Sequence, residues 1–214
     1  MDTKEQFVIT ISRELGSGGR TIGRKLAERL HVHYSDKELI EALRDRFKLT
    51  PSAIERLKGE KRSWLADFIQ FVAPAPKAEI DYYNKGRFED FRRETTTNDV
   101  YAAEKEILRE IAAESSCVIA GRSGFFVLKD HPNKLSIFIT ASRANRISRV
   151  MRKQGLSEEL AAETIDRVDA ERENYIQRYT GTSRYDVRNY DLCLNSDGHT
   201  EDEMVDVILR YIGA

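Results

Sequence analysis

Residues 7–23 read Phe-Val-Ile-Thr-Ile-Ser-Arg-Glu-Leu-Gly-Ser-Gly-Gly-Arg-Thr-Ile-Gly, and this stretch decides the fold. Phe7 to Ser12 is a β-branched run of strand length that stops in Gly16-Ser17-Gly18-Gly19. Ile22, Leu26 and Leu30 then recur at helical spacing. The hydrophobic period changes from two to 3.6 across a glycine turn, which predicts strand, loop and helix. Such a turn aims several backbone N–H groups at one point, at the positive end of the helix dipole, an arrangement suited to phosphate. The competing explanation is a tight turn that simply needs small residues.

The usual phosphate-loop pattern is Gly-x-x-x-x-Gly-Lys-Ser/Thr. With Gly18 as its second glycine, Arg13 holds the first glycine position, Gly19 the lysine position and Arg20 the hydroxyl position. Arg20 and Thr21, each displaced by one residue, are the candidates for the missing cation and hydroxyl. An arginine binds phosphate well, but its reach differs from that of lysine.

Outward from this loop, strands and helices alternate. His31-Val32-His33-Tyr34, Cys117 to Ala120, Leu135 to Thr140 and Tyr190 to Leu194 have strand length, and Lys37 to Phe47 reads as a helix. Thr97-Asn98-Asp99 offers caps for a helix through Glu114. Ser142 to Gln154 is another, closed by Gly155, and Ser157 caps a third that ends at Gly181. The alternation predicts an α/β fold with a mostly parallel sheet covered on both faces. Residues 47–97 break the alternation. They are polar, interrupted by Pro74 and Pro76, and interspersed with Trp64, Phe68, Phe71, Tyr82, Tyr83, Phe88 and Phe91. We read them as a helical insertion whose aromatics serve packing or self-association, which permits a homodimer.

The 214 residues suffice for one domain with an inserted clamp or lid. The 35 Lys and Arg against 36 Asp and Glu leave a net charge of −1, which supports neither nucleic acid nor an acidic membrane as partner. No apolar run approaches the ~20 residues of a membrane span, and the polar, acidic start lacks the pattern of a secretory signal. Cys117 and Cys193 each lie in an apolar run and read as buried reduced thiols. The expectation is a soluble cytoplasmic domain. None of the four histidines has Cys or His partners at metal-ligand spacing.

Arginines mark the strand ends. Arg13 and Arg20 lie at the loop, Arg122 just past a strand end, and Arg143, Arg146, Arg149 and Arg152 along one helix. In open parallel sheets ligands sit beyond the carboxyl ends of strands, so the glycine loop, Gly121-Arg122 and Thr140-Ala141-Ser142 converge on one rim. Phosphoryl transfer asks the protein mainly to hold two anions in line and to neutralise the moving charge, and fixed guanidinium groups do that. Arg172 sits within the apolar stripe of its helix, about 40° from Val168. A charge there needs an internal partner, Asp169 or Glu173, or an anionic ligand that arrives when a lid closes.

Residues 7–23 also resemble the opening of the cytidylate kinase-like proteins. The resemblance continues through Leu26-Ala27 to Tyr34-Ser35-Asp36-Lys37-Glu38-Leu39-Ile40. It resumes at Cys117-Val118-Ile119-Ala120-Gly121-Arg122, at Ile137-Phe138-Ile139-Thr140-Ala141-Ser142, and at Thr180-Gly181 with Tyr190-Asp191-Leu192. It implies a three-layer P-loop NTPase fold with a five-stranded core, residues 47–97 as a monophosphate-binding insertion and residues 153–189 as an arginine-bearing lid. It also implies transfer of the ATP γ-phosphoryl group to CMP or dCMP with Mg²⁺. From the glycine turn itself, Gly16, Ser17, Gly18, Gly19, Arg20 and Thr21 are the candidates for ATP, with Thr21 also toward Mg²⁺. Arg122, Asp169 and Arg172 fall to the monophosphate. Arg20, Arg146, Arg149 and Asp36 fall to the transfer itself. Ser123 stands where cytidylate kinases carry an Asp, and Ile165 where they carry an Arg. Two further readings stay open: a kinase of another nucleotide or small molecule, and a nucleotide-binding regulator without turnover, which the absent loop lysine favours.

Overall fold

The structure, a computed structural model, describes residues 1–35 and 97–214. Met1–Asp36 with Leu108–Ala214 form one compact unit and Lys37–Ile107 a second. The candidate chemistry described below lies in the first. Asp36, the expected helix 37–47 and nearly all of the expected insertion 47–97 lie outside the described residues.

Strand β1 (Val8–Arg13) runs into helix α1 (Gly19–Leu30) and then β2 (His33–Ser35). Helix α2 (Thr97–Glu114) leads to β3 (Cys117–Ala120), the short helix α3 (Gly124–Val127) and β4 (Lys134–Thr140). Helices α4 (Arg143–Gln154) and α5 (Glu158–Thr180) follow, then a 3₁₀ turn at Val187–Asn189, β5 (Leu192–Asn195) and α6 (Glu201–Ile212). The sheet order is β2-β3-β1-β4-β5, and every pairing is parallel. The five-stranded α/β expectation holds, with the sheet parallel throughout.

Alternation along β1 sorts the two layers. Ile9 and Ile11 face one side, where they join Ile22 and Leu26 of α1 and Val205 and Ile208 of α6 in a core that excludes water. Thr10 faces the other, bonding Ser136 of β4 at 3.0 Å, with Gly124 of α3 lying against its methyl group. Both faces are thus covered, as a parallel sheet requires.

The expected caps form. Ser142 and Ser157 accept from the N–H groups of Asn145 and Leu160, and Gly155 and Gly181 close the two helices in the left-handed region. The second strand begins two residues later than the apolar run suggests. His31 takes the left-handed C-cap of α1 and the Val32 N–H bonds back to the Ala27 carbonyl, so the chain is still turning there. Likewise Tyr190 stays outside β5, its ring packed on Phe125 and Phe138. Cys193 corrects the sequence reading: it is exposed, whereas Cys117 is buried. In β5, which is the last strand of the sheet, Leu192 and Leu194 turn toward the core and Cys193 turns away from it.

Candidate active site

The rim at the carboxyl ends of β1, β3 and β4 gathers the glycine loop and a cluster of guanidinium groups. Gly16 and Gly18 both take positive φ, 86° and 84°. At Gly16 a side chain is barred on two counts, since its Cβ would come within 2.6 Å of the Arg146 carbonyl oxygen. The loop therefore lies flat on the first turn of α4. Ser17 is fully buried, its hydroxyl donating to the Glu14 carbonyl at 2.9 Å. From the end of β5, the Ser196 hydroxyl donates to the Ser17 carbonyl at 2.8 Å, with the Thr140 carbonyl 3.2 Å away as the other acceptor in its reach. Ser196 thus ties the loop to the ends of β5 and β4.

Asp169 is the hub beneath it. Only 6% exposed, its carboxylate accepts the Leu15 N–H at 3.0 Å, Arg146 at 2.6 Å, Arg172 at 3.2 Å and Arg184 at 3.4 Å. Arg172 and Arg184 also donate to the Arg13 carbonyl. A buried carboxylate with this many charge-assisted donors around it fixes their directions. Burial, with the neighbouring Arg13 and Arg184 guanidinium groups, pushes Arg172 down to about 9, opposed by Asp169. At neutral pH it remains cationic. Of the two internal partners the sequence offered Arg172, Asp169 takes the role. Glu173 accepts the Arg184 N–H instead.

The four arginines of α4 separate as helical spacing requires. Arg143 pairs with Asp166 on the surface and Arg152 with Ser148. Arg146 turns inward to Asp169, with Glu14 3.6 Å away. Arg149 bonds Glu201 at 2.5 Å, and its guanidinium lies against Gly18. That bond holds the Glu201 carboxyl below its ordinary range. Arg20 lies on the exposed side of α1, where its carbonyl accepts from the Tyr34 hydroxyl at 3.1 Å. The Thr21 hydroxyl accepts from Lys153 at 3.3 Å.

At the end of β3, Gly121, Arg122 and Ser123 all take positive φ, 86°, 60° and 54°. Two consecutive non-glycine residues in the left-handed region carry a conformational cost of about 1–2 kcal/mol each. The strain lets the chain reverse into α3 while keeping Arg122 at the strand end. The Ser123 hydroxyl and the Arg146 Nε are buried and have no hydrogen-bond partner among the described residues. Buried donors left this way point to an acceptor that arrives from outside.

The structure thus brings together Gly16, Ser17, Gly18, Gly19, Arg146, Arg149, Asp169 and Arg172, and sets Arg122 on the same rim. Sequence reasoning missed Glu14, Arg184 and Ser196. Arg184 follows the helix-ending Gly181, so no periodicity could mark it as buried, yet it is 3% exposed.

A parallel sheet in this order, with a glycine loop between the first strand and helix, defines a P-loop kinase-type fold. A crystal structure of shikimate kinase from Bacteroides thetaiotaomicron shares it, with a TM-score of 0.55 at 14% identity over 98% of this chain and 100% of that one. The chain belongs to the cytidylate kinase-like family, whose model matches residues 8–198. Cytidylate kinase from Pyrococcus horikoshii is 28% identical over 90% of this chain and 81% of its own. A crystal structure of an uncharacterized protein from Eubacterium ventriosum superposes with a TM-score of 0.70 at 25% identity, covering 98% and 99% of the two chains. Membership of a kinase family implies ATP use. No helix among the described residues is long and apolar enough to cross a membrane.

Proposed function

We propose that the protein is a nucleoside-monophosphate kinase that moves the ATP γ-phosphoryl group to CMP or dCMP. The observation that carries this reading is the preformed glycine loop, flanked by Arg146 and Arg149 from one strand end and facing Arg122 at another. In the reaction a monophosphate oxygen attacks the γ-phosphorus, the bond to the β-phosphate oxygen breaks, and ADP leaves with that electron pair. The loop amides hold the donor phosphates, Arg146 and Arg149 balance the charge that spreads over the transferring group, and Arg122 grips the acceptor phosphate. Asp36 is assigned to the same step by the resemblance and Arg20 by its place beside the loop; the resemblance puts Asp169 and Arg172 on the acceptor side.

Mg²⁺ in such sites rests chiefly on the substrate phosphates and water and takes one or two protein oxygens. Thr21 offers a hydroxyl in the first turn of α1, and the Lys153 ammonium that it accepts from at 3.3 Å would have to turn away for the ion to reach it. When bound, the ion would neutralise charge on the phosphates.

A coupled ADP-release assay with Mg²⁺ across CMP, dCMP, UMP, AMP and GMP tests the reading, with turnover expected on CMP and dCMP. One observation favours a second reading, a kinase of another small acceptor. Ser123 stands in place of an Asp, and its buried hydroxyl awaits a partner of its own. Turnover confined to an acceptor outside the monophosphate panel would select that reading. Absence of ADP release with any acceptor would leave a nucleotide-binding regulator. Arg122→Ala is expected to raise the acceptor KM at least tenfold with ATP binding retained, and unchanged acceptor kinetics would remove Arg122 from the site.

A further inference from the structure

Two of the three positions at which the loop departs from the usual pattern prove to be neighbours in space. Arg13 stands at the first position, normally glycine, and Gly19 at the seventh, normally lysine. A Cβ on Gly19 would come within 2.6 Å of the Arg13 Cβ and 3.1 Å of its Cγ. A Cβ on Gly121 would fall on the Arg13 Nη1, well inside van der Waals contact. The Arg13 stem therefore crosses the space that a side chain at position 19 would need, and its guanidinium ends at the Gly121-Arg122 turn. Its charge is felt by Arg172 across the rim. A cation at 13 and a side chain at 19 exclude each other, and this chain has glycine where the room is needed.

We propose that Arg13 supplies, from the first position of the loop, the cation that the usual pattern carries at the seventh, and that it binds the terminal phosphates of the triphosphate donor. The proposal rests on the phosphotransferase reading above. It moves the cation from the outer turn of α1, where Arg20 lies, to the end of β1 between the donor loop and Arg122. A guanidinium at that point can span two phosphate oxygens at once, which a lysine ammonium does only as a point charge. Gly19 is then explained as clearance for the Arg13 stem.

The test is the ratio of ATP to ADP affinity, measured by calorimetry with Mg²⁺, because that ratio isolates the terminal phosphate. Arg13→Met keeps the stem and removes the charge. It is expected to weaken ATP binding about tenfold or more while ADP binding changes by no more than about twofold. The exchange variant Arg13→Gly/Gly19→Lys, which restores the usual pattern, is expected to recover the ratio. Should Arg13→Met fail to fold, Arg13→Lys reads the same quantity and is expected to fall between it and the parent. An unchanged ratio in the folded Arg13 variants overturns the proposal, as does a ratio that collapses in Arg20→Met but holds in Arg13→Met. If the parent protein itself binds neither nucleotide, the phosphotransferase reading falls, and this one with it. ATP binding by the parent that Arg13→Met leaves untouched removes only this one.

Discussion

Asp169, in the middle of α5, accepts the Leu15 backbone N–H at 3.0 Å and so fastens the approach to the phosphate loop from a helix 154 residues further along the chain. The same carboxylate forms ion pairs with Arg146, Arg172 and Arg184. Loop geometry and the placing of three cations thus depend on one buried charge. A segment expected to act as a lid carries the residue that holds the loop in shape.

Asp169→Asn separates these two roles. The amide oxygen can still accept from Leu15, but the negative charge is gone and several guanidinium groups lose their counter-ion. Removing one side of a buried charge pair costs about 3–5 kcal/mol, and urea unfolding should show a loss of that order. Inorganic phosphate should raise the melting temperature of the variant more than that of the parent, because the anion replaces the missing charge. Equal phosphate shifts in the two proteins would deny the site its excess of cations.

Two glycines with similar backbone angles should respond differently to alanine. Gly155 closes α4 at φ 68° with open space around it, so Gly155→Ala meets only the left-handed penalty, about 1–2 kcal/mol. Gly16 at φ 86° has the Arg146 backbone against it as well. Gly16→Ala must push the loop off α4, and it should lose more stability than Gly155→Ala together with nucleotide binding. Chemical denaturation of both variants and an ATP titration decide the matter.

The two thiols should be told apart by reagent. Burial pushes Cys117 up to about 11, so at pH 8 it is almost wholly protonated and shielded. Cys193, raised only modestly by partial desolvation, stands on the exposed face of β5. At pH 8 a disulfide reagent should label one thiol quickly, Cys193→Ser should abolish that phase, and Cys117 should react only on unfolding. Rapid labelling of both would mean that β3 is open to solvent.

The Arg149–Glu201 bond makes an acid-dependent contribution. Glu201 has a folded-state pKa below its ordinary 4.5, chiefly through the hydrogen bond from Arg149. The associated stability is complete above 4.5 and is lost as the pH falls through the lowered folded value. Both side chains are about three-quarters buried, so a double-mutant cycle with Arg149→Met and Glu201→Gln should give about 1 kcal/mol of coupling at pH 7. The coupling should fade in acid. Coupling that persists at a pH where the Glu201 carboxyl is seen to be protonated would require another origin.

Much of the fold was legible because short-range chemistry specifies it. The strand-to-helix change at Ser12–Ile22, the serine caps at 142 and 157 and the glycines at 155 and 181 act within a turn of themselves. The C-terminal helix carries the same kind of local signal, a reciprocal capping box between Thr200 and Glu203. In the site, the arginine-rich rim was visible, and so was the misplacement of Arg172 in an apolar stripe. The choice of Asp169 as common partner was not, since it depends on where α5 crosses the loop. Arg184 and Ser196 lie in irregular chain, where no period marks an inward residue. Arg13 was noted as a departure from pattern, but its link to Gly19 exists only once the strand end and the helix start are folded together.

The steric exclusion between positions 13 and 19 also constrains how such a loop can change over time. Replacing Gly19 alone by lysine drives a side chain into an occupied space, and replacing Arg13 alone by glycine leaves neither position charged. Either single step is handicapped, although the double exchange restores the usual pattern. A lineage carrying this arrangement would be kept in it by the order in which mutations must occur, and the unusual loop would outlast any advantage that first produced it.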